Sequence, residues 1–578
     1  MLIRPIRPIG PIGILLSLLL ICSALCAEAP PSQVNVRDFG AKGDEITDDT
    51  PAFTAAMDAV KEKGGTVSVP VGNYLIKTHL RIPNNVTLEG VWSIPTAFSQ
   101  MKGTTLLAVE GAGSETGPAF ITLGVNSTIK GLTIFYPDQK PEKIVPYPWC
   151  VACAGGDNPS IIDCLLVNPY QGVDFGTNAS GRHYIRNLYG QPLRRGIFVD
   201  KCYDVGRIEN VHFWPFWKWD EKSGIRDWLW KNGEAFIFAR SDWEYVLNTF
   251  CFGYGIGFRF TASKDGATNG NFLGVGVDAA NIAVLVEATQ APGLLFTNGE
   301  FVSFAGDKPA EIVVRKTHKG VVQFQNCSYW GTSDQIARLD GTGTVSFNGC
   351  NFLGWDRQRK GIPAIELNGG NLIVTGCNFN GPGPQLAVMG SANSAIFTSN
   401  RMGGPLAVSN PAKAQLQCGL NVFEQPPKRP TEEAGAIVVD DDDGAPGVKY
   451  IGEWLATPNT DAAYVGYFQG THWAWKGAGD AKAVFTPNVP KSGWYTVYAY
   501  FGPDPDGGYS HARKAPVIVR SASGVTTRYA DLRLPNGKWI HLGTYKFAAG
   551  RKGSVTFTND ADGNVLADAV KLVPAAAR

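Results

Sequence analysis

The stretch FNGCNF, Phe347–Phe352, is one copy of a six-residue pattern that recurs along most of the chain. An apolar residue opens the pattern, Asn, Gly, Asp or Ser takes its third position, and an apolar or aromatic residue closes it. Other copies are IKGLTI from Ile129, IIDCLL from Ile161, IRNLY from Ile185, IENVHF from Ile208, VLNTFC from Val246, FLGVGV from Phe272, FTNGEF from Phe296, FQNCSY from Phe324, VTGCNF from Val374 and FTSNRM from Phe397. Most copies are spaced by roughly 25 residues, which is typical of the stacked coils of a solenoid.

A second row of short strands follows the first in phase. It includes GVDFG from Gly172, GIFVD from Gly196, AFIFA from Ala235, GIGFRF from Gly255 and NIAVLV from Asn281. Two rows in phase predict an all-β chain whose main domain is a parallel β-helix, with coils stacked about 4.8 Å apart.

Four cysteines fall at the fourth position of the pattern: Cys164, Cys327, Cys350 and Cys377. There we expect an inward ladder of small thiols that pack as hydrophobic groups, with few or no disulfides. Cys150 and Cys153 form a lone CxxC without a second pair or a nearby His. This favours a local disulfide or two packed thiols over a zinc site.

The N-terminal segment VNVRDFGAKGDEITDDTPAF, Val34–Phe53, precedes a predicted short helix, with Thr50 as its cap, and then GGTVSVPVGNYLI. This segment closely resembles the opening of the pectate-lyase-like, rhamnogalacturonase- and epimerase-like superfamily. The resemblance implies a right-handed parallel β-helix over residues 33–421 and an activity on polysaccharides. The catalytic signatures of polygalacturonases and alginate epimerases are not found in the sequence, so the reaction has to be inferred from other residues.

Residues 1–27 have the basic start, apolar run and small-residue cleavage region of a signal peptide, which predicts export to the periplasm or the extracellular space. No later segment is apolar enough to span a membrane. The net charge of +1 gives no electrostatic case for nucleic acid.

Residues 422–435 are rich in proline and charge, as in a linker, and residues 436–576 alternate short strands with turns, as in a β-sandwich. From VVDDDDG to NDADGNVLADAVKLV this region resembles the golvesin C-terminal, xanthan-lyase-associated domain, which implies carbohydrate binding. Asp440–Asp443 offer oxygen ligands for a structural calcium, although a solvated acidic turn is the preferred interpretation. Trp473 and Trp475 fit a sugar platform and a packed interior equally well.

The repeat is interrupted between Val211 and Thr249 by a long insertion, HFWPFWKWDEKSGIRDWLWKNG. Because binding sites are commonly aromatic-lined clefts, we expect at least two of its indoles to line a substrate groove and the others to anchor the loop. The predicted substrate-binding residues are Trp214, Trp217, Trp219, Asp220, Glu221, Arg226, Trp228, Trp230, Arg240 and Arg259. The turns before Ile312 and Ile365 are also enlarged, which predicts that loops from one corner of the solenoid stack together.

Two carboxylates are candidates for catalysis beside this loop. Alternation predicts that Asp174 and Asp200 point outward on adjacent coils, roughly 8 Å apart. That spacing suits an acid and a base on either side of a glycosidic bond. The rival chemistry is β-elimination from a uronate, with His212 as a base and Lys201, Arg240 and Arg259 as cations that neutralise the carboxylate.

The sequence therefore favours, by a small margin, a secreted enzyme that hydrolyses an acidic, pectin-like polysaccharide. A polysaccharide lyase that uses β-elimination is the close alternative, and a non-catalytic glycan-binding surface protein is the third. The predicted partner is the polysaccharide itself. The sequence identifies no catalytic metal ligand and no required cofactor, and it does not determine the oligomeric state.

Overall fold

A computed structural model describes residues 32–96, 102–331, 333–381, 383–423, 429–457, 466–468, 470–502, 510–533 and 537–576. The predicted signal peptide, residues 1–27, lies outside the described residues, as do residues 424–428 of the predicted linker.

Residues 33–423 form one continuous 40-stranded sheet that winds into coils, and its parallel pairings join each coil to the next along three rows. The strands of sheet 1 are Gln33–Asn35, Gly65–Ser68, Val86–Glu89, Thr128–Lys130, Ser160–Leu166, Tyr184–Gly190, Arg207–Glu209, Ser241–Leu247, Gly266–Leu273, Leu294–Thr297, Val321–Gln325, Thr344–Asn348, Ile365–Thr375, Leu386–Thr398 and Gln415–Gly419. The strands of sheet 2 are Asp44–Asp48, Gly72–Ile76, Thr104–Ala108, Leu132–Phe135, His212–Phe213, Phe250–Phe252, Gly276–Ala280, Glu300–Ser303, Ser328–Tyr329, Asn351–Phe352, Asn378–Phe379, Arg401–Met402 and Val422–Phe423. The strands of sheet 3 are Leu80–Ile82, Ile121–Leu123, Trp149–Cys153, Gln171–Phe175, Arg195–Val199, Glu234–Phe238, Ile256–Phe260, Ile282–Val286, Ala310–Val314, Gln335–Leu339 and Val408–Ser409.

Some strands bend from one row into the next. Ser160–Leu166 and Tyr184–Gly190 pass from sheet 1 into sheet 2, while Ile365–Thr375 and Leu386–Thr398 pass from sheet 3 into sheet 1. Ala262–Ser263 forms a short antiparallel hairpin with Gly266–Leu273. This arrangement confirms the predicted parallel β-helix, and its last strand extends two residues past the predicted domain end at 421.

The third position of the six-residue pattern is the corner between sheets 1 and 2. In every copy from Gly131 to Ser399 this residue has a positive φ, for example +52° at Asn210 and +64° at Gly376. Asn, Asp and Gly tolerate this left-handed conformation better than other residues, which explains the composition of the position. Side-chain amides also stack from coil to coil, as where Asn210 donates to Oδ1 of Asn187 at 2.9 Å.

The fourth position points into the solenoid, as predicted. Cys164, Cys327, Cys350 and Cys377 are buried free thiols, and so are Cys150 and Cys153. Aromatic rings stack beside them, since the centroids of Phe272, Phe296 and Phe324 follow one another at 4.9 Å. Burying each such ring stabilises the fold by about 2–3 kcal/mol.

Helix α1, Thr50–Val60, covers the N-terminal end of the solenoid with Phe53, Ala56, Met57 and Val60 buried. Asp49, rather than the predicted Thr50, is the N-cap residue of this helix. Among the described residues, the helices lack the length and apolar character that a membrane-spanning segment requires.

The C-terminal region contains three antiparallel sheets. The four-stranded sheet comprises Ile437–Asp440, Ala569–Ala575, Gly493–Phe501 and Lys538–Phe547. The five-stranded sheet comprises Val448–Ile451, Lys482–Phe485, Ser554–Thr558, Ala515–Ser521 and Gly524–Ala530. The three-stranded sheet comprises Leu455–Thr457, Thr471–Ala474 and Val565–Ala567. Residues of all three sheets share one apolar core, as the predicted β-sandwich requires.

Candidate functional site

The tryptophan loop, residues 214–233, leaves the solenoid after the sheet 2 strand His212–Phe213 and returns at the sheet 3 strand Glu234–Phe238. Helix α2, Ile225–Asn232, forms its second half and buries Ile225 and Leu229 on one face. This helix was not predicted from the sequence, because its eight residues are too few for a clear apolar spacing and two of them, Trp228 and Trp230, are aromatic.

Three of the five indoles anchor the loop. Trp214 and Trp217 pack with buried Phe216 against Leu165 and Val167 on the outer face of sheet 2. Trp228 packs against Tyr170, with ring centroids 6.1 Å apart. The anchoring role weighed in the sequence analysis therefore holds for these rings.

The other two indoles line a cleft of about 960 Å³ between the solenoid and the sandwich. Trp219 and Trp230 meet edge to face at 5.7 Å, and the guanidinium of Arg226 lies 4.8 Å from the Trp230 ring centroid. Glu221 lies at the rim, 3.6 Å from Arg226. We call this space the interdomain cleft.

The enlarged turns before Ile312 and Ile365 reach the same cleft, as predicted, through Phe304 and Arg357. The sandwich contributes the opposite side with Trp475 and Lys476. Trp475 is 49% exposed, whereas its neighbour Trp473 packs on the sandwich core. Trp473 is therefore a packed residue, and the sugar-platform role stays a prediction for Trp475.

Arg357 holds the two domains together at the floor of the cleft. This guanidinium is buried, and it donates to Asp334 at 2.7 Å, to the carbonyl of Phe304 at 2.8 Å and to Glu453 of the sandwich at 3.2 Å. The sandwich therefore docks on the corner that carries the tryptophan loop.

A second concavity, which we call the outer groove, crosses the exposed face of sheet 2. It has a volume of about 530 Å³, and its lining includes Phe250, Asp278, Glu300 and Trp330. Trp330 is 54% exposed. Burial raises the pKa of Asp278 above its usual value, whereas a hydrogen bond from the backbone of Ala279 lowers it to a smaller extent.

The outer groove and the interdomain cleft lie next to each other at Asp278. Phe252, which lines the cleft, is the register partner of Asp278. Ala279, the next residue, also lines the cleft. A carboxylate with a raised pKa at the junction of two aromatic-lined concavities is a candidate for proton transfer.

Asp278 and Trp330 were not predicted as site residues, although the sequence contains a signal for both. Each directly follows the sixth residue of a pattern copy, as Trp214 and Phe252 also do. That seventh position lies on the outer face of sheet 2, so it identifies one row of groove residues across successive coils.

His212 lies on the same outer face, surrounded by aromatic rings. It stacks on Tyr189 at 6.0 Å and meets Phe250 edge to face at 5.1 Å. Burial lowers its pKa, so the imidazole is neutral near pH 7. Because Phe250 lines the outer groove, His212 is one coil from that groove.

The predicted outward carboxylate pair is not on the surface. Asp174 and Asp200 are 4% and 5% exposed. Oδ1 of Asp174 accepts the backbone N–H groups of Gly176 and Thr177 at 2.9 and 2.8 Å. Oδ1 of Asp200 accepts N–H groups of Lys201 and Arg240 and the hydroxyl of Ser263. The expected exposed acidic face is therefore wrong, since both side chains hold turns at the ends of sheet 3 strands.

The predicted cations beside this pair have structural partners and do not line the cleft. Lys201 donates to the carbonyls of Gly176 and Thr177. Arg240 pairs with Asp242 at 2.7 Å, and Arg259 bridges Glu234 and Glu287 on neighbouring coils. Asp220, predicted as part of the rim, accepts the N–H of Ser223 inside the loop. The structure thus groups Trp219, Glu221, Arg226 and Trp230, and separates them from these residues.

The preferred interpretation of Asp440–Asp443 as a solvated turn is also wrong. Asp440 and Asp441 are fully buried. Burial, followed by the charge of Asp442, raises the pKa of Asp440 to about 7. Arg359 of the solenoid enters this cluster and donates to the carbonyl of Asp441 at 2.8 Å.

Comparison with known families agrees with both halves of the molecule. Residues 33–193 match the family model of the rhamnogalacturonase A/epimerase, pectate lyase-like group, and residues 437–574 match the golvesin C-terminal domain. Both resemblances are confirmed. The first match covers the opening coils of the pectate-lyase-like solenoid, and the second covers the golvesin-like sandwich.

Individual relatives act on polysaccharides, according to their names. The chain is 30% identical over 292 residues to a xanthan lyase from Bacillus sp. (strain GL1), which takes in 48% of this chain and 30% of the lyase. It is 39% identical over 79 residues to mannuronan C5-epimerase AlgE1 from Azotobacter vinelandii, 12% of this chain and 6% of the epimerase. The A-module of mannuronan C-5 epimerase AlgE6 from Azotobacter vinelandii aligns with a TM-score of 0.44 at 16% identity, covering 68% of this chain and all of that module. The chain therefore spans less than a third of the length of either curated relative.

Proposed function

We propose that this protein is a secreted, polysaccharide-active enzyme of the lyase type that acts on an acidic glycan. The observation that carries the proposal is the adjacency of the outer groove and the interdomain cleft. Asp278 lines the groove, and its neighbours Phe252 and Ala279 line the cleft together with the rings of Trp219, Trp230 and Trp475. Names of relatives with lyase and C5-epimerase activity support the same reaction class.

Sugar rings have apolar C–H faces and polar edges, so indole rings combined with charged groups suit them. The interdomain cleft provides the rings of Trp219, Trp230 and Trp475, with the cations of Arg226 and Lys476 close by. In our proposal these rings hold successive sugar units, and the cations face the carboxylates of the glycan.

Elimination from a uronate begins when a base removes the proton at C5, next to the carboxylate. The base has to be ionised at working pH but basic enough to accept the proton, and a carboxylate with a raised pKa meets both conditions. Asp278 is half-buried, has a raised pKa and lies where the groove adjoins the cleft. We therefore assign Asp278 the role of base, with His212 on the adjoining coil as a group that orders the groove.

Hydrolysis by the predicted carboxylate pair is not supported, because Asp174 and Asp200 are buried. Both carboxylates accept backbone N–H groups of neighbouring turns and are not available to a substrate. The test is to incubate the purified chain with xanthan, alginate and pectate and to follow both products. Ultraviolet absorbance from a new C4–C5 double bond, appearing together with new reducing ends, supports the proposal. Reducing ends without that absorbance indicate a hydrolase, and glycan binding without either product indicates a binding protein.

A further inference from the structure

The acidic run of the sandwich forms a buried cluster of oxygen ligands. The strand Ile437–Asp440 leads into a short 3₁₀ turn, Asp441–Asp443. The carboxylates of Asp440 and Asp441, where the strand joins the turn, are fully buried. Carboxylate oxygens of Asp440, Asp441 and Asp442 lie within 4.8 Å of one another. Asp443 is set apart, because it pairs with Arg429.

A fourth carboxylate, from a distant part of the chain, faces this cluster. Asp440 pairs with Ala569 across antiparallel strands, which puts Asp441 directly opposite Asp568. The N–H of Asp441 donates to the carbonyl of Asp568 at 2.7 Å. Asp568 is fully buried, Oδ1 accepts the N–H of Tyr467 at 3.0 Å, and Oδ2 has no hydrogen-bond partner among the described residues. Opposed side chains of this kind have Cβ atoms about 5 Å apart.

The cluster holds more negative than positive charge. Within the described part of the chain, Arg359 is the cation that pairs with it, through Asp441 and Asp442. A second guanidinium, that of Arg429, pairs with the neighbouring Asp443. Two guanidinium groups thus face five carboxylates, those of Asp440, Asp441, Asp442, Asp443 and Asp568.

Four buried oxygens of the cluster also lack a hydrogen-bond partner within the described residues: Asp440 Oδ2, Asp441 Oδ1, Asp442 Oδ2 and Asp568 Oδ2. Burying carboxylate oxygens without a donor or a cation is costly. Each of the four carboxylates leaves one oxygen in this state, and a cation held by the grouped oxygens of Asp440, Asp441 and Asp442 would offset this cost.

We propose that Asp440, Asp441 and Asp442 bind a calcium ion in the golvesin-like sandwich, with the buried carboxylate of Asp568 facing the ion from the opposite strand. The ligand set is entirely oxygen, carries a high negative charge and comes from an irregular turn, all of which suit Ca²⁺. Mg²⁺ fits less well, because it requires a near-octahedral shell and tends to retain several waters. Since Arg359 of the solenoid contacts the same carboxylates, the ion also reinforces the contact between the two domains.

The test uses the full chain, stripped of metal and then titrated with Ca²⁺ or Mg²⁺ by calorimetry, with the melting temperature measured in parallel. We expect one Ca²⁺ per chain, a higher melting temperature with Ca²⁺, and a weaker response to Mg²⁺. Asp568→Asn should weaken Ca²⁺ binding by at least about tenfold. Asp531→Asn, which alters a partly buried carboxylate of the same sandwich that pairs with Arg533, should leave binding unchanged.

Absence of Ca²⁺ binding by the wild-type chain would overturn the inference. The inference would also be overturned if Asp568→Asn and Asp442→Asn both bound Ca²⁺ as tightly as the wild type, because the ion would then lie elsewhere. Asp442→Asn also serves if Asp568→Asn fails to fold. The readout needs no catalytic activity, so it is independent of the proposed function.

Discussion

Trp230 donates its indole N–H to the backbone carbonyl of Ala279, 2.8 Å away, and this bond joins the tryptophan loop to the strand that carries Asp278. Ala279 has a φ of +55°, which is unfavourable for a residue with a Cβ. The bond therefore helps to hold the backbone next to Asp278 in a conformation that it would not adopt freely.

Trp230→Phe keeps an aromatic ring but removes the donor, which leaves the carbonyl of Ala279 unsatisfied. We expect a loss of about 1–2 kcal/mol in the free energy of unfolding. Faster amide hydrogen exchange should be seen in residues 214–233 and 276–280. Trp228→Phe, in the same helix, is the control, because its ring packs on Tyr170 away from this strand. Equal exchange in both variants would contradict the proposed link.

Asp278→Asn should abolish most of the activity on whichever glycan the chain cleaves. Removal of a general base typically lowers kcat by about 10²–10⁴-fold, with KM little changed. In the wild type, activity should fall as the pH drops through the raised pKa of Asp278, because the base is then protonated.

The matched control is Asp174→Asn, which retains an oxygen to accept the N–H groups of Gly176 and Thr177. It should fold and remain active. Loss of activity in Asp174→Asn together with full activity in Asp278→Asn would reverse the assignment and restore the original carboxylate pair.

Trp219→Ala and Trp475→Ala should each weaken substrate binding, although the two rings belong to different domains. Each truncation should cost about 1–2 kcal/mol, which is roughly a five- to thirtyfold increase in KM. Trp243→Ala is the control, because this indole is 61% exposed and does not line the cleft. An unchanged KM for Trp475→Ala would show that the sandwich takes no part in substrate binding.

Glu311 is a fully buried carboxylic acid in the solenoid, near the hydroxyl groups of Ser303 and Ser333. Burial raises its pKa from 4.5 to about 8. Between these values the folded chain retains a proton that the unfolded chain has lost. Stability therefore decreases as the pH rises from about 4.5 to about 8.

Glu311→Gln removes this titration. At pH 9 the melting temperature of the variant should therefore exceed that of the wild type. Between pH 5 and pH 9 it should also change less than the melting temperature of the wild type does. Glu300→Gln, an exposed carboxylate of the same coil, should behave like the wild type. A wild-type melting temperature as high at pH 9 as at pH 5 would show that Glu311 does not titrate in this range.

The solenoid could be predicted from the sequence because its determinants are local and repeated. A residue that tolerates positive φ at the third position and an inward residue at the fourth recur in each coil, and Asn210 and Cys350 show both features in the structure. Repetition makes the pattern visible without knowledge of distant contacts.

The candidate site could be predicted only in part, because alternation assigns a residue to a face but does not say what its side chain contacts. Asp174 and Asp278 look alike in sequence, yet the first accepts backbone N–H groups of its own turn and the second lies in the groove. The aromatic loop could be identified because its composition is unusual. The contribution of Trp475 could not, since no local pattern specifies where the sandwich docks.

Arg359→Met should weaken the contact between the domains, because it leaves the carboxylates of Asp441 and Asp442 without their guanidinium. Removing one partner of a buried ion pair costs about 3–5 kcal/mol. Since the side chain of Arg359 is 28% exposed, we expect about 2–3 kcal/mol here. Limited proteolysis between residues 424 and 436 measures the effect, and Arg401→Met, at an exposed position of the solenoid, is the control. Because calcium would supply the missing charge, saturating Ca²⁺ should restore part of the protection in Arg359→Met. If, without calcium, the protease cut Arg359→Met no faster than the wild type, Arg359 would not be holding the sandwich in place.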